Sequence, residues 1–118
     1  MEKCALFAAT LLHSSTNTHF FHWSTSSYSE HIALGTYYDE IVDLVDDFME
    51  AAMGRYKQVK RFPNVYHEPK NAIQYMEQLK EFVDDSRDDL PQDKDIQTLV
   101  DNIAILIDST LYKLRFLK

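Results

Sequence analysis

The sequence predicts an all-α protein, an antiparallel four-helix bundle. Two glycines and three prolines in 118 residues are too few turn formers for a β-sandwich or barrel. The apolar residues recur at helical spacing rather than in strict alternation. Most breaks between the periodic stretches are short, which sets successive helices side by side and antiparallel. The length suits a single domain over residues 1–118. Apolar residues at 45% and charged residues at 26% fit a folded chain rather than a disordered one.

The four helices are expected at about 2–23, 28–57, 71–89 and 94–117. The first carries Leu6, Phe7, Ala9, Leu12, Phe20 and Phe21 as its apolar and small positions. Ser24, Thr25, Ser26 and Ser27 then form a polar break. Ser27 and Glu30 have the S-x-x-E spacing of a capping box, so the second helix starts near Tyr28. That helix has the clearest stripe in the chain, Ile41, Leu44, Val45, Phe48 and Ala52, with Asp39, Asp43, Asp46 and Glu50 on the opposite face. Pro63 and Pro69 mark the stretch from Gln58 to Lys70 as a connection. Ile73, Met76, Leu79, Phe82 and Val83 form the inward side of the third helix. Pro91 ends that pattern, and Asp93 is placed to cap the fourth helix. The fourth helix has a broad apolar face of Ile96, Leu99, Val100, Ile103, Leu106, Ile107, Leu111 and Leu114.

Composition narrows the function classes. The formal charge is −7. The basic residues Arg55, Lys57, Lys60 and Arg61, and then Lys113, Arg115 and Lys118, sit where helices are expected to end and where cations complement the helix dipole. No nucleic-acid partner is expected from that pattern. No apolar run is long enough to span a bilayer, so no membrane association is expected, and the N-terminal run lacks a signal peptide's basic start and cleavage site. A lone cysteine, Cys4, fits a reducing, cytoplasmic setting. Glycine-rich phosphate loops, C-x-x-C and H-E-x-x-H are all absent, and Cys4 has no base beside it in sequence.

Histidine and carboxylate remain. His22 closes the first helix and His31 opens the second, so a short turn keeps both at one end of the bundle. Asp46 and Glu50 are four residues apart and share a helix face. Imidazole with carboxylate suits iron or manganese, and also zinc. On one continuous helix, however, His31 and Asp46 are separated by roughly 22 Å. One cation can be shared by all four residues only if the imidazoles of one chain meet the acids of a second, as a two-fold axis would arrange. Plainer readings stand beside this one. The acidic face can be solvated surface, His22 can interact with helix-end carbonyls, and His31 can be a surface residue near a cap. His13, His19 and His67 have no carboxylate at diagnostic spacing and read as structural.

His19-Phe20-Phe21-His22-Trp23, then His31, then Tyr38-Asp39-Glu40, then Asp46-x-x-x-Glu50 resembles the first half of the Dps miniferritins of the ferritin-like superfamily. The resemblance covers roughly residues 11 to 56. It implies a ferritin-like bundle and a ferroxidase centre, with His22 and His31 from one subunit and Asp46 and Glu50 from its two-fold mate. Trp23 would be the aromatic neighbour of that centre. It also implies iron, with zinc or manganese as alternatives, in a homodimer or higher homo-oligomer. Gly35 stands where the family often has a further acid. The turn between the histidines is shorter than in the family, the stretch before the third helix has little room for the family's dimer-supporting helix, and the basic DNA-binding tail is missing. A chain this short is also similar to ferritin-like proteins carried by tailed bacteriophages, which implies the cytoplasm of a host cell. The competing expectations are a non-enzymatic helical adaptor that docks a host or virion protein, and a structural cation site that holds a dimer together.

Overall fold

A computed structural model describes every residue from Met1 to Lys118. The chain is all-helical. Helix α1 runs Glu2–Ser24, α2 Tyr28–Arg55, α3 Ala72–Ser86 and α4 Lys94–Phe116, with one 3-10 turn at Arg87–Asp89. No helix is long and apolar enough to cross a membrane.

Side-chain pairs fix the directions of the helices. Ser14 meets Tyr37 and His22 meets His31, so α1 and α2 are antiparallel. Ser29 reaches Leu117 and Arg55 reaches Asp95, so α2 and α4 are antiparallel. Asn17 reaches Tyr75 and Lys3 reaches Asp89, which sets α3 against α1 in the same sense. Helices α2 and α3 therefore run the same way, and the connection between them must travel the length of the bundle. Residues 56–71 can do so, since an extended chain covers ~3.3 Å per residue and α1 rises only ~1.5 Å per residue over its 23 residues. This crossover passes beside α1 and α3: Tyr66 lies edge-on to His13, and the His67 carbonyl accepts from Asn17 Nδ2 at 3.3 Å.

The ends of the helices follow local chemistry. Ser27 Oγ accepts from the Glu30 amide at 3.3 Å, as the capping spacing requires. Asn71 Oδ1 does the same for Gln74 at 2.8 Å. The third helix ends at Ser86, earlier than the sequence suggests. Leu90 precedes a proline and is held extended (ψ 164°), so the last turn tightens into the 3-10 segment instead of continuing. Helix α2 stops at Arg55 rather than near Lys57, with Tyr56 leaving helical geometry. Asp93 occupies the cap position of α4, but its carboxylate does not cap. It is taken by the Tyr56 hydroxyl and by Arg55 at 3.2 Å, while Asp95 Oδ1 serves the Ile96 amide.

The core is centred on Phe7, whose ring lies 5.1 Å from Phe48 and 5.9 Å from Phe82 and so joins α1, α2 and α3. Val100, Ile103 and Ile107 bring α4 into the same cluster. The inner side of α1 departs from the expectation. Leu12 and Phe20 are exposed, while Ala5, Ala8, Ser14, Asn17 and Thr18 are buried. Small residues let α1 and α2 approach closely, and the polar ones are satisfied. Ser14 Oγ lies 2.8 Å from the Tyr37 hydroxyl, and Asn17 Nδ2 donates to the Tyr75 hydroxyl at 3.1 Å. Burial pushes the Tyr37 and Tyr75 hydroxyls to higher pKa, so both remain protonated donors or acceptors. Ile73 and Ile105 are likewise exposed, and Tyr75 takes an inward place on α3 that the apolar pattern did not assign to it.

Two measurements check this architecture. Phe7→Ala should lower unfolding free energy by about 3–5 kcal/mol in urea titration, because it empties the point where three helices meet. Acid should also weaken the molecule at the Arg55 end. The Tyr56 hydroxyl chiefly, and then Arg55, hold Asp93 below the usual carboxylate range; Arg55 does the same for Asp95. Groups that ionise more readily when folded stabilise above their unfolded pKa of ~3.9 and stop doing so as pH falls through the lower folded value. The urea midpoint should therefore drop below about pH 4, and less steeply in an Asp93→Asn/Asp95→Asn variant.

Candidate functional site

Helix α1 ends at Ser24 and α2 starts at Tyr28, so the turn brings His22 and His31 face to face. Their rings stack at 3.6 Å between centroids and 15° between planes. His22 Nδ1 lies 2.5 Å from the His31 carbonyl oxygen, and His31 Nδ1 lies 2.7 Å from the His22 carbonyl oxygen. A carbonyl can only accept, so each Nδ1 must carry the proton and donate it. In the neutral ring, the acceptor is then Nε2. The His22 carbonyl is one of those a helix end leaves without an amide partner, and the His31 ring supplies one. Sequence reasoning considered His22 as the residue that would interact with helix-end carbonyls. His31 performs that service for His22, while His22 donates to the His31 carbonyl, which lies within α2 and takes the imidazole as an additional donor. Bonds of this kind fix the tautomer and orientation of imidazoles that bind metals through the other nitrogen.

Gly35 makes the arrangement possible. A Cβ at this position would stand 3.0 Å from His22 Cε1 and 3.2 Å from Nδ1. In the sequence Gly35 reads as the loss of an acid; in the fold it is the space that the His22 ring fills. Trp23 is 66% exposed and lies against His19, with ring centroids 4.4 Å apart, rather than against His22. His19 stacks on Tyr38 at 3.9 Å and meets His22 edge-on at 6.0 Å, while Tyr38 meets His22 edge-on at 5.2 Å. His19 and Tyr38 thus belong to the cluster, although His19 reads as merely structural in the sequence. The three-residue step from His19 to His22, which puts both on one helix face, was the available signal.

Asp46 and Glu50 lie elsewhere. Helix α2 is continuous through His31, Asp46 and Glu50, and both acids are exposed. With Asp39, Glu40, Asp43 and Asp47 they form an outer face. The ion pairs of the chain involve none of these acids. Within one chain no group of three or more His, Cys, Asp or Glu side chains could hold a metal ion. The residues singled out in the sequence are therefore divided within the chain, with imidazoles at one end of α2 and unpaired carboxylates beyond its middle. Cys4 is buried in the core, where burial raises its thiol pKa, and it is placed as a small apolar residue rather than a nucleophile.

Residues 22–114 match the model of a family described as "Family of unknown function (DUF5856)". The chain belongs to DUF5856. The matched stretch includes both stacked histidines, Gly35, the whole of α2 and α3, and α4 up to Leu114. No curated protein and no solved structure matches the chain.

The fit between Gly35 and His22 can be tested against an internal control. Alanine in place of glycine inside a helix normally stabilises by about 1 kcal/mol. Gly54, on the same helix, has open space around it. Gly54→Ala should therefore raise stability by about that amount. Gly35→Ala should fall short of that gain by about 1–3 kcal/mol, because the added methyl overpacks against the His22 ring, and should displace that ring, seen as altered imidazole nitrogen resonances by NMR.

Proposed function

We infer that this protein is a diverged miniferritin that binds Fe(II) as substrate and passes its electron to peroxide or oxygen, at a site shared between two copies of the chain. His22 and His31 of one copy and Asp46 and Glu50 of the other would be the ligands. The observation that carries this reading is the reciprocal Nδ1-to-carbonyl exchange, which leaves Nε2 of each ring as the atom able to coordinate. Three further features support it. A bundle with one lengthwise crossover has the connectivity of ferritin-like folds. The carboxylates of the outer face of α2 have no cation partner in the chain and would concentrate Fe(II) near them. Phe20, Trp23 and Ile32 are exposed around the histidine pair, as a face that meets a second copy would require. The carboxylates would balance the charge of the metal and the imidazoles would fix its position.

A second reading, a helical adaptor without redox chemistry, is favoured by one observation. Ile105, Tyr112 and Phe116 lie along the outside of α4, and Phe116 is 71% exposed.

Mixing experiments separate the two. Added aerobically, Fe(II) should be oxidised faster with the protein than in buffer. Loss of an outer-shell partner alone costs metal sites 10–100-fold, so His31→Ala and Glu50→Ala should each slow the reaction by at least ~10-fold. A refolded equal mixture of those two variants should regain activity, because a mixed dimer keeps one intact site; random pairing restores about a quarter of the parental sites. If neither variant is slower than the parent, or the mixture stays inactive, the shared site is wrong. A monomer that does not oxidise iron would leave the adaptor.

A further inference from the structure

A cleft lies at the opposite end of the bundle from the histidine pair. It measures about 1160 Å³, and its walls are the first turn of α1, the start of the crossover at Tyr56–Arg61, and the Asp89–Pro91 turn before α4. Along α1, Cys4 at its edge is roughly 27 Å from His22, so the two regions are separate. Four cationic side chains line the cleft: Lys3, Lys57, Lys60 and Arg61.

Their partners distinguish them from ordinary surface charge. Lys3 is matched by Asp89 at 3.7 Å. Arg55, just before the cleft, is fully engaged by Asp93 and Asp95. Lys57, Lys60 and Arg61 take part in none of the ion pairs of the chain, and Glu2 is the only other acid on the lining. In a chain with 19 acids and 12 Lys and Arg, carboxylates are in surplus, so three neighbouring cations without a partner do not reflect a shortage of acids. The helix-dipole explanation expected from the sequence covers Arg55, which stands in the last turn of α2; Lys57, Lys60 and Arg61 lie beyond the helix. Two residues between and before them are anchored. The Tyr56 hydroxyl is bonded to Asp93, and the Val59 side chain packs on the core while its amide meets Met53 Sδ at 3.4 Å. The segment is thus held at alternate points with its cations around the cleft, which lowers the ordering cost of binding.

We propose that this cleft binds a compact phosphate-bearing anion. A volume of this size suits a small molecule rather than a polymer. Two ammonium groups with one guanidinium match a multiply charged oxyanion, the guanidinium offering paired donors to phosphate oxygens. A small anion also avoids the rest of the protein's field. With a screening length of ~8 Å at physiological ionic strength, a ligand confined to the cleft senses mainly its cations, whereas a nucleic-acid strand leaving the cleft would run along a molecule of net charge −7.

The test is titration calorimetry of the full chain with pyrophosphate at physiological salt. A Lys57→Gln/Lys60→Gln/Arg61→Gln variant is compared with a Lys113→Gln/Arg115→Gln/Lys118→Gln variant, which loses equal charge at the far end, and circular dichroism verifies that each is folded. The proposal expects saturable one-to-one binding to the parent, weakened at least tenfold in the cleft variant and within twofold of the parent in the far-end variant. Absence of saturable binding, or equal weakening in both variants, overturns it. Tighter binding of a single-stranded oligonucleotide than of pyrophosphate overturns it as well, in favour of a nucleic-acid surface.

Discussion

The unbroken length of α2 is the constraint on which the rest of this molecule depends. A helix of 28 residues spans most of the 44 Å long axis, and it is unbroken. It packs on α1 along one side and on α4 along another, so it sets the frame for both hairpins. Because it is one continuous helix, the imidazoles near its start and the carboxylates beyond its middle cannot converge within one chain. Any chemistry that uses both sets must recruit a second molecule, so activity and association would be inseparable. The paired histidines gain from the same continuity: the α2 backbone offers the His31 carbonyl at a fixed place, and the missing side chain of Gly35 leaves a slot of matching shape for the His22 ring.

Much of this was legible in the residues. In the stripe Ile41, Leu44, Val45, Phe48 and Ala52 all but Leu44, which is partly buried, are buried as the spacing requires, and Ser27 caps α2 where the capping pattern places it. The start of α2, fixed by the Ser27 cap, falls where the sequence sets it, and α4 also begins at Lys94 as expected although the Asp93 carboxylate is drawn away from capping it. Boundaries fixed by tertiary contacts were harder. Arg55 and Tyr56 are drawn to acids of α4, and no local signal announces that. The burial pattern of α1 was the least readable element. Beside Cys4, Phe7 and Leu11, its inner face is built from alanine, serine, threonine and asparagine, whose hydropathy is too weak to mark a side, while Leu12 and Phe20 face outward.

At the candidate site, sequence spacing identified His22 and His31 as neighbours but could not supply the exchange of hydrogen bonds between them, which depends on two backbone carbonyls. Gly35 shows the limit most clearly. Its meaning is steric and concerns a residue on another helix, so it cannot be read from composition or period. The cations of the crossover are a similar case. In the sequence they look like a helix terminus; in three dimensions the helix has already ended, and they surround a cavity shared with α1.

The crossover has one more implication. Between Lys57 and Lys70 it belongs to no helix, and its polar backbone is tied down only at scattered points such as Val59 and His67. In topological terms the protein is two helical hairpins clasped face to face and joined by a tether. The tether is also where lysine and arginine cluster, so a trypsin-like protease that nicked it would leave both hairpins intact, still held to each other by the shared aromatic centre. Nature or an engineer could divide the gene at that point and let the halves find one another again.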